Sequence, residues 1–126
     1  MPDILLVDDD QLIAESLRQF LLRKDWNVDS ARTAGAARDF MKSKQYRVVV
    51  LDPFLTGSRN EDRELLMINA RHLQPNAALI ILTAYSSAGM ARVAADCRVS
   101  ALLSKPQPVV LLSEIIASVS QGPVQS

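Results

Sequence analysis

Short, wholly apolar runs alternate along this chain with longer segments of mixed polarity. Ile4–Val7, Val48–Leu51 and Ala78–Leu82 each hold five residues or fewer, mostly Ile, Leu and Val. A strand that meets helices above and below has no solvent side and reads this way. Asn27–Ala31, with Val28 set among polar residues, reads as an edge strand, and Val99–Leu103 as a fifth strand. Between them the apolar positions recur at helical spacing. Gln11–Lys24 carries Ile13, Leu17, Phe20 and Leu21, and Ala34–Lys42 carries Ala37, Phe40 and Met41. Arg63–Leu73 carries Leu66, Ala70 and Leu73 and stops at Gln74-Pro75-Asn76, where a residue before proline leaves the helical region. Ser87–Asp96 carries Met90, Val93 and Ala94. Pro108–Ser118 opens on a proline, tolerated in a first turn, and then shows Leu111, Leu112, Ile115 and Ile116, with Val119 just beyond. Strand and helix thus alternate five times, which predicts right-handed crossovers and a parallel sheet covered on both faces.

Composition narrows the class of protein. At 126 residues the chain is one domain long, and 48% hydrophobic content supplies an ordinary core. Fourteen basic and fourteen acidic residues balance, which argues against a nucleic-acid sleeve or a polybasic membrane sensor. No apolar run is long enough to span a bilayer. The opening Met1-Pro2-Asp3 lacks the regions of a secretory signal, so a cytoplasmic chain is expected. One cysteine, Cys97, excludes an internal disulfide and reads as a small packing residue. The end of the chain, Ser-Gln-Gly-Pro-Val-Gln-Ser, has linker composition. A domain over 1–119 is therefore expected, followed by a tail or the start of a linker over 120–126.

In an open parallel sheet, ligands bind beyond the carboxyl ends of the strands, near the point where strand order reverses. The residues directly after the apolar runs are Asp8, Asp9 and Asp10, then Asp52, then Thr83, then Ser104, Lys105 and Pro106. Carboxylates gathered at one spot repel each other, and a hard divalent cation such as Mg²⁺ relieves them. A lysine and a threonine opposite that cation complete a cradle for a phosphoryl group. Such a cradle favours attack by a carboxylate on a phosphoryl donor, which gives an aspartyl phosphate.

The segments Ile4-Leu5-Leu6-Val7-Asp8-Asp9-Asp10, Val48-Val49-Val50-Leu51-Asp52, Ile80-Ile81-Leu82-Thr83-Ala84 and Leu102-Leu103-Ser104-Lys105-Pro106 together resemble the receiver domain of two-component response regulators. No one of these motifs is specific; the four in this order are. The resemblance runs from about Asp3 to Val119. It implies a flavodoxin-like α/β fold, a doubly wound parallel sheet of strand order 2-1-3-4-5. It also implies that Asp52 is the phosphoacceptor for a phosphohistidine on a sensor histidine kinase or phosphotransfer protein. Asp8, Asp9, Asp52 and the backbone carbonyl of Phe54 would hold Mg²⁺ (or Mn²⁺), with Asp8 acting mostly through water. Thr83 would meet the phosphoryl oxygen and shift on activation, Lys105 would pair with that group, and Lys105–Pro106 would be cis. The output would pass through the fourth helix, fifth strand and fifth helix, to a homodimer or an effector. Such a domain catalyses its own phosphorylation and dephosphorylation but is not a metabolic enzyme, and it binds neither nucleic acid nor membrane directly.

Several positions depart from the family pattern. Pro53 follows Asp52 directly, and Thr56 stands where the family has proline, leading into a polar stretch to Asp62 that reads as a mobile loop. Leu102 occupies the place of the aromatic that couples to the threonine, so the switch pair Thr83 and Leu102 lacks its ring. Phe54 and Tyr85, two residues beyond Asp52 and Thr83, would flank the path of a hydrolytic water and shield an acyl phosphate.

Plainer readings stand beside these. Asp10 caps the first helix, His72 is a helix C-terminal residue with no role in phosphotransfer, and the broad apolar face of Val109–Ile116 is core with scattered exposed residues or a partner face. Two other functions compete. One is a phosphorylation-independent interaction module of receiver shape. The other is a phosphohydrolase of the haloacid dehalogenase type with Asp8 as nucleophile, although Leu12 stands where that family has threonine.

Overall fold

A computed structural model of the chain describes residues 3–55, 59–85 and 87–121. The strands are β1 (Asp3–Val7), β2 (Asn27–Ala31), β3 (Val48–Leu51), β4 (Ala78–Thr83) and β5 (Ala101–Ser104). The helices are α1 (Gln11–Leu22), α2 (Ala34–Ser43), α3 (Asn60–Leu73), α4 (Ala88–Asp96) and α5 (Val109–Gln121). All strand pairs are parallel, in the order β2-β1-β3-β4-β5. This is the flavodoxin-like doubly wound fold, with Asn27–Ala31 at one edge.

The unbroken apolar runs follow from strand geometry, since successive side chains leave opposite faces of the sheet. Leu5, Val7, Val49, Leu51, Leu79 and Ile81 point to one face and pack with Met41 of α2, Met67 of α3 and Met90 of α4. Ile4, Leu6, Val48, Val50, Ile80 and Leu82 point to the other, against Leu17 and Leu21 of α1 and Leu112 and Ile116 of α5. Each residue of the runs in β1, β3 and β4 thus packs on one side or the other, and no polar residue interrupts them.

Helix ends follow from local chemistry. Asp10, Thr33 and Ser87 accept from the N–H groups of Ile13, Ala36 and Met90 and so cap α1, α2 and α4. Several ends differ from the sequence expectation. α1 stops at Leu22 rather than Lys24, because Asp25 turns left-handed (φ 69°) and the Trp26 N–H returns to the Leu21 carbonyl. α3 begins at Asn60, so residues 60–62 of the expected loop form its first turn; Thr56 lies outside the described residues. Val99 is not in β5: Arg98 is left-handed (φ 55°), and the Val99 N–H closes the end of α4 on the Ala94 carbonyl. At the start of α5, Pro108 precedes the helix and supplies the carbonyl that the Leu112 N–H meets. The helix then continues through Gln121, past the boundary expected at 119; 122–126 lie outside the described residues.

Candidate functional site

Strand order reverses between β2-β1 and β3-β4-β5, and the loops after β1 and β3 leave from that crevice. Backbone hydrogen bonds continue the ladder one residue past the strands. The Asp8 N–H donates to the Ala31 carbonyl, the Asp52 N–H to Val7 and the Lys105 N–H to Thr83, at 3.0, 2.8 and 2.9 Å. Asp8 and Asp52 therefore leave adjacent strand ends side by side. Lys105 reaches them from beyond β5, and the Lys105–Pro106 peptide is cis.

The Lys105 ammonium donates to Oδ2 of Asp8 at 2.8 Å and to Oδ2 of Asp52 at 2.7 Å. Both carboxylates are buried. Their second oxygens are held by backbone: Asp8 Oδ1 accepts from the Asp10 N–H and Asp52 Oδ1 from the Phe54 N–H, each at 2.9 Å. Burial pushes the Asp8 carboxyl above its usual range, against the opposing pull of Lys105. Burial would lower Lys105, but its hydrogen bonds to Asp52 and Asp8 carry it above the ordinary lysine value. Thr83 is 0% exposed, and its Oγ1 accepts from the Tyr85 N–H at 3.1 Å, the same two-residue turn that Asp52 makes with Phe54.

Among the sequence-predicted residues, Asp8, Asp52 and Lys105 form one contiguous cluster, and Thr83 adjoins Lys105 through the backbone. Asp9 is half-buried beside them and lines an open groove of about 740 Å³ with Arg32, Arg38 and Asp62. No group of three His, Cys, Asp or Glu side chains stands together as metal ligands among the described residues. Two carboxylates facing one ammonium nevertheless leave an excess of negative charge in a buried place. Carboxylate oxygens of that kind fit a hard cation that keeps most of its waters. Leu102 is half-buried and packs on the α2–α4 side of the sheet.

The structure adds a contact that periodicity could not reveal. The rings of Phe54 and Tyr85 meet with centroids 5.1 Å apart at 51°, and the Arg63 guanidinium lies over the Phe54 ring at 4.1 Å. Arg63 sits nine residues beyond Phe54 on a different element, and only the path of α3 brings the two together.

Acidic strand ends at the crevice of a 2-1-3-4-5 sheet, bridged by a lysine after the last strand, mark the class of α/β domain whose polar rim can cradle a phosphoryl group. Residues 4–117 match the model of the response regulator receiver domain, and the chain belongs to that family. It is a receiver domain of two-component signal transduction. It is 29% identical over 119 residues to hybrid signal transduction histidine kinase E of Dictyostelium discoideum, covering 89% of this chain but 7% of that protein. The receiver domain protein of Methanospirillum hungatei JF-1 superposes with a TM-score of 0.88 at 26% identity, over 96% of this chain and 94% of that one. A response regulator of Burkholderia pseudomallei, solved with a phosphorylated aspartic acid, a calcium ion and citrate, shares the fold with a TM-score of 0.82. Its identity is 22%, over 96% of this chain and 69% of that one. No helix among the described residues is long and apolar enough to cross a membrane.

Proposed function

We propose that Asp52 accepts a phosphoryl group from the phosphohistidine of a sensor kinase or phosphotransfer protein. The observation that supports this most is the shared contact of Lys105 with Asp8 and Asp52, three residues spread over almost the whole chain. An Asp52 carboxylate oxygen bonds to phosphorus as the P–N bond to the donor histidine breaks, and the histidine leaves with a proton from solvent. Lys105 then pairs with the phosphoryl oxygens, and the Thr83 hydroxyl donates to one of them. A Mg²⁺ or Mn²⁺ ion held by Asp8, Asp9, Asp52 and the Phe54 carbonyl would neutralise charge on those oxygens. The same domain releases the group by hydrolysis in the cytoplasm. The surface of α4, β5 and α5 passes the change to an effector or a second copy of the chain.

Intact mass after incubation with acetyl phosphate and Mg²⁺ is expected to show a single added phosphoryl group, absent when EDTA is present. A chain that gains no adduct and binds no Mg²⁺ would instead be a phosphorylation-independent module. The ring pair makes a second expectation. Phe54→Asn together with Tyr85→Glu is expected to shorten the life of the adduct about tenfold, the effect of roughly 1.4 kcal/mol in a barrier. An unchanged decay would show that the rings do not shield the acyl phosphate.

A further inference from the structure

We infer that Arg63 is a positioning residue for the shield over Asp52, holding the Phe54 ring against Tyr85 and so setting how long the phosphoryl group persists. The inference rests on the reading of Asp52 as acceptor and of the Phe54 and Tyr85 rings as its cover, and adds the element that fixes that cover. Phe54 and Tyr85 belong to the loops after β3 and β4. Each is anchored through its own N–H to the site side chain two residues earlier, Asp52 and Thr83 respectively. Those bonds place the two ring-bearing residues but leave the rings free to turn about their side-chain torsions. Tyr85 is 65% exposed, so its ring is held chiefly by what it touches. The touching ring is that of Phe54, half-buried and covered by the planar guanidinium of Arg63. Arg63 in turn is fixed by α3, whose ladder begins with its own N–H on the Arg59 carbonyl at 3.0 Å. The run of contacts from Tyr85 to Phe54 to Arg63 therefore ties the residues after β3 and β4 to a helix.

The consequence for chemistry is a gating equilibrium. Hydrolysis requires a water oxygen to bond to phosphorus while the P–O bond to Asp52 breaks, releasing inorganic phosphate and regenerating the carboxylate. Water reaches phosphorus only when the rings part, so the decay rate scales with the open fraction. An exposed cation–π contact shifts such an equilibrium by about threefold. A surface charge acting only through its field would be replaced without loss by lysine, whereas a stacking plane would not.

The experiment follows loss of the phosphoryl group from Asp52 by intact mass in wild type, Arg63→Ala, Arg63→Lys and Phe54→Ala. The double variant Arg63→Ala with Phe54→Ala completes the cycle, and aromatic NMR spectra are recorded on the unphosphorylated proteins. Arg63→Ala is expected to lose phosphate about threefold faster than wild type, and Arg63→Lys, which keeps a cation but not the planar guanidinium, measurably faster by a smaller factor. Neither removal of Arg63 nor its retention should matter once Phe54 is alanine, and Arg63→Ala should move the ring resonances of Phe54 and Tyr85. Wild-type decay in Arg63→Lys, an additive effect in the double variant, or unmoved rings would each overturn the role of Arg63. A wild-type chain that takes up no phosphoryl group would overturn the proposed function and the lifetime role with it. The ring spectra would then still show whether Arg63 holds the pair.

Discussion

Asp52→Asn is expected to gain no phosphoryl group from acetyl phosphate and Mg²⁺ under conditions in which the wild-type chain gains one. An amide oxygen is a far poorer nucleophile than a carboxylate. Among the described residues the only other buried acid on Lys105 is Asp8, and an adduct formed there would survive the substitution. The loss is interpretable because the fold should tolerate the change. Asparagine keeps the volume of the aspartate side chain, and its amide oxygen can still accept from the Phe54 N–H. Its NH2 group then faces the Lys105 ammonium, which must turn away from position 52 and wholly to Asp8. Lys105 retains Asp8 as partner at 2.8 Å, so no buried charge is orphaned. The site passes from two carboxylates around one ammonium to a balanced pair, and stability to urea should change by no more than about 1 kcal/mol. Intact mass and a urea titration on the same samples test both parts. An adduct that persists in Asp52→Asn would move the acceptor to a neighbouring acid, Asp8 first. A folded, adduct-free variant would locate it at Asp52.

The features that make this site legible in the sequence are those the sheet imposes on every strand. β1, β3 and β4 are buried on both faces, so they appear as unbroken apolar runs, and the polar residue that follows each run marks the ligand-binding rim. Asp8, Asp52 and Thr83 can be picked out on that ground without any resemblance. The order 2-1-3-4-5 and the individual roles come only with the resemblance. Signals fail where burial is partial. β5 is an edge strand whose first three residues are all half-buried, so its start cannot be separated from Val99, which the turn after α4 claims instead. The first turn of α3 is polar, and its exposed Asp62 offers no apolar stripe to betray a helix. Contacts between elements leave no periodic trace at all. Arg63 over Phe54 is one, and the polar ties at the sheet's other end are another: Tyr46 donates to Asp29 at 2.6 Å, and Lys44 pairs with the same carboxylate. Arg71 donates to carbonyls of Gln74, Pro75, Ala77, Cys97 and Arg98, joining the ends of α3 and α4.

Gln74 is the clearest such case, and Gln74→Leu is expected to cost about 3 kcal/mol of stability. In the sequence it reads only as the residue that ends a helix before Pro75. In the fold it is 0% exposed. Its side-chain oxygen accepts from the Tyr46 N–H at 2.8 Å, and its amide donates to the carbonyls of Met41 and Lys44 at 2.9 and 2.8 Å. One side chain thereby closes the end of α2, the entry to β3 and the end of α3. Leucine fills similar space but can neither donate nor accept. The Tyr46 N–H and the Met41 carbonyl belong to buried residues and would be left without partners, each at a cost of roughly 1–3 kcal/mol. Lys44 is exposed, so its carbonyl can turn to water. Urea unfolding should show a lower midpoint with an unchanged slope. Gln74 lies at the end of β3 opposite Asp52, so uptake of the phosphoryl group should persist wherever the variant is folded. A loss below about 1 kcal/mol would mean that water reaches the orphaned groups. A loss of phosphorylation in folded protein would mean that the two ends of the sheet are coupled, and the receiver would then respond at its base to what happens at its rim.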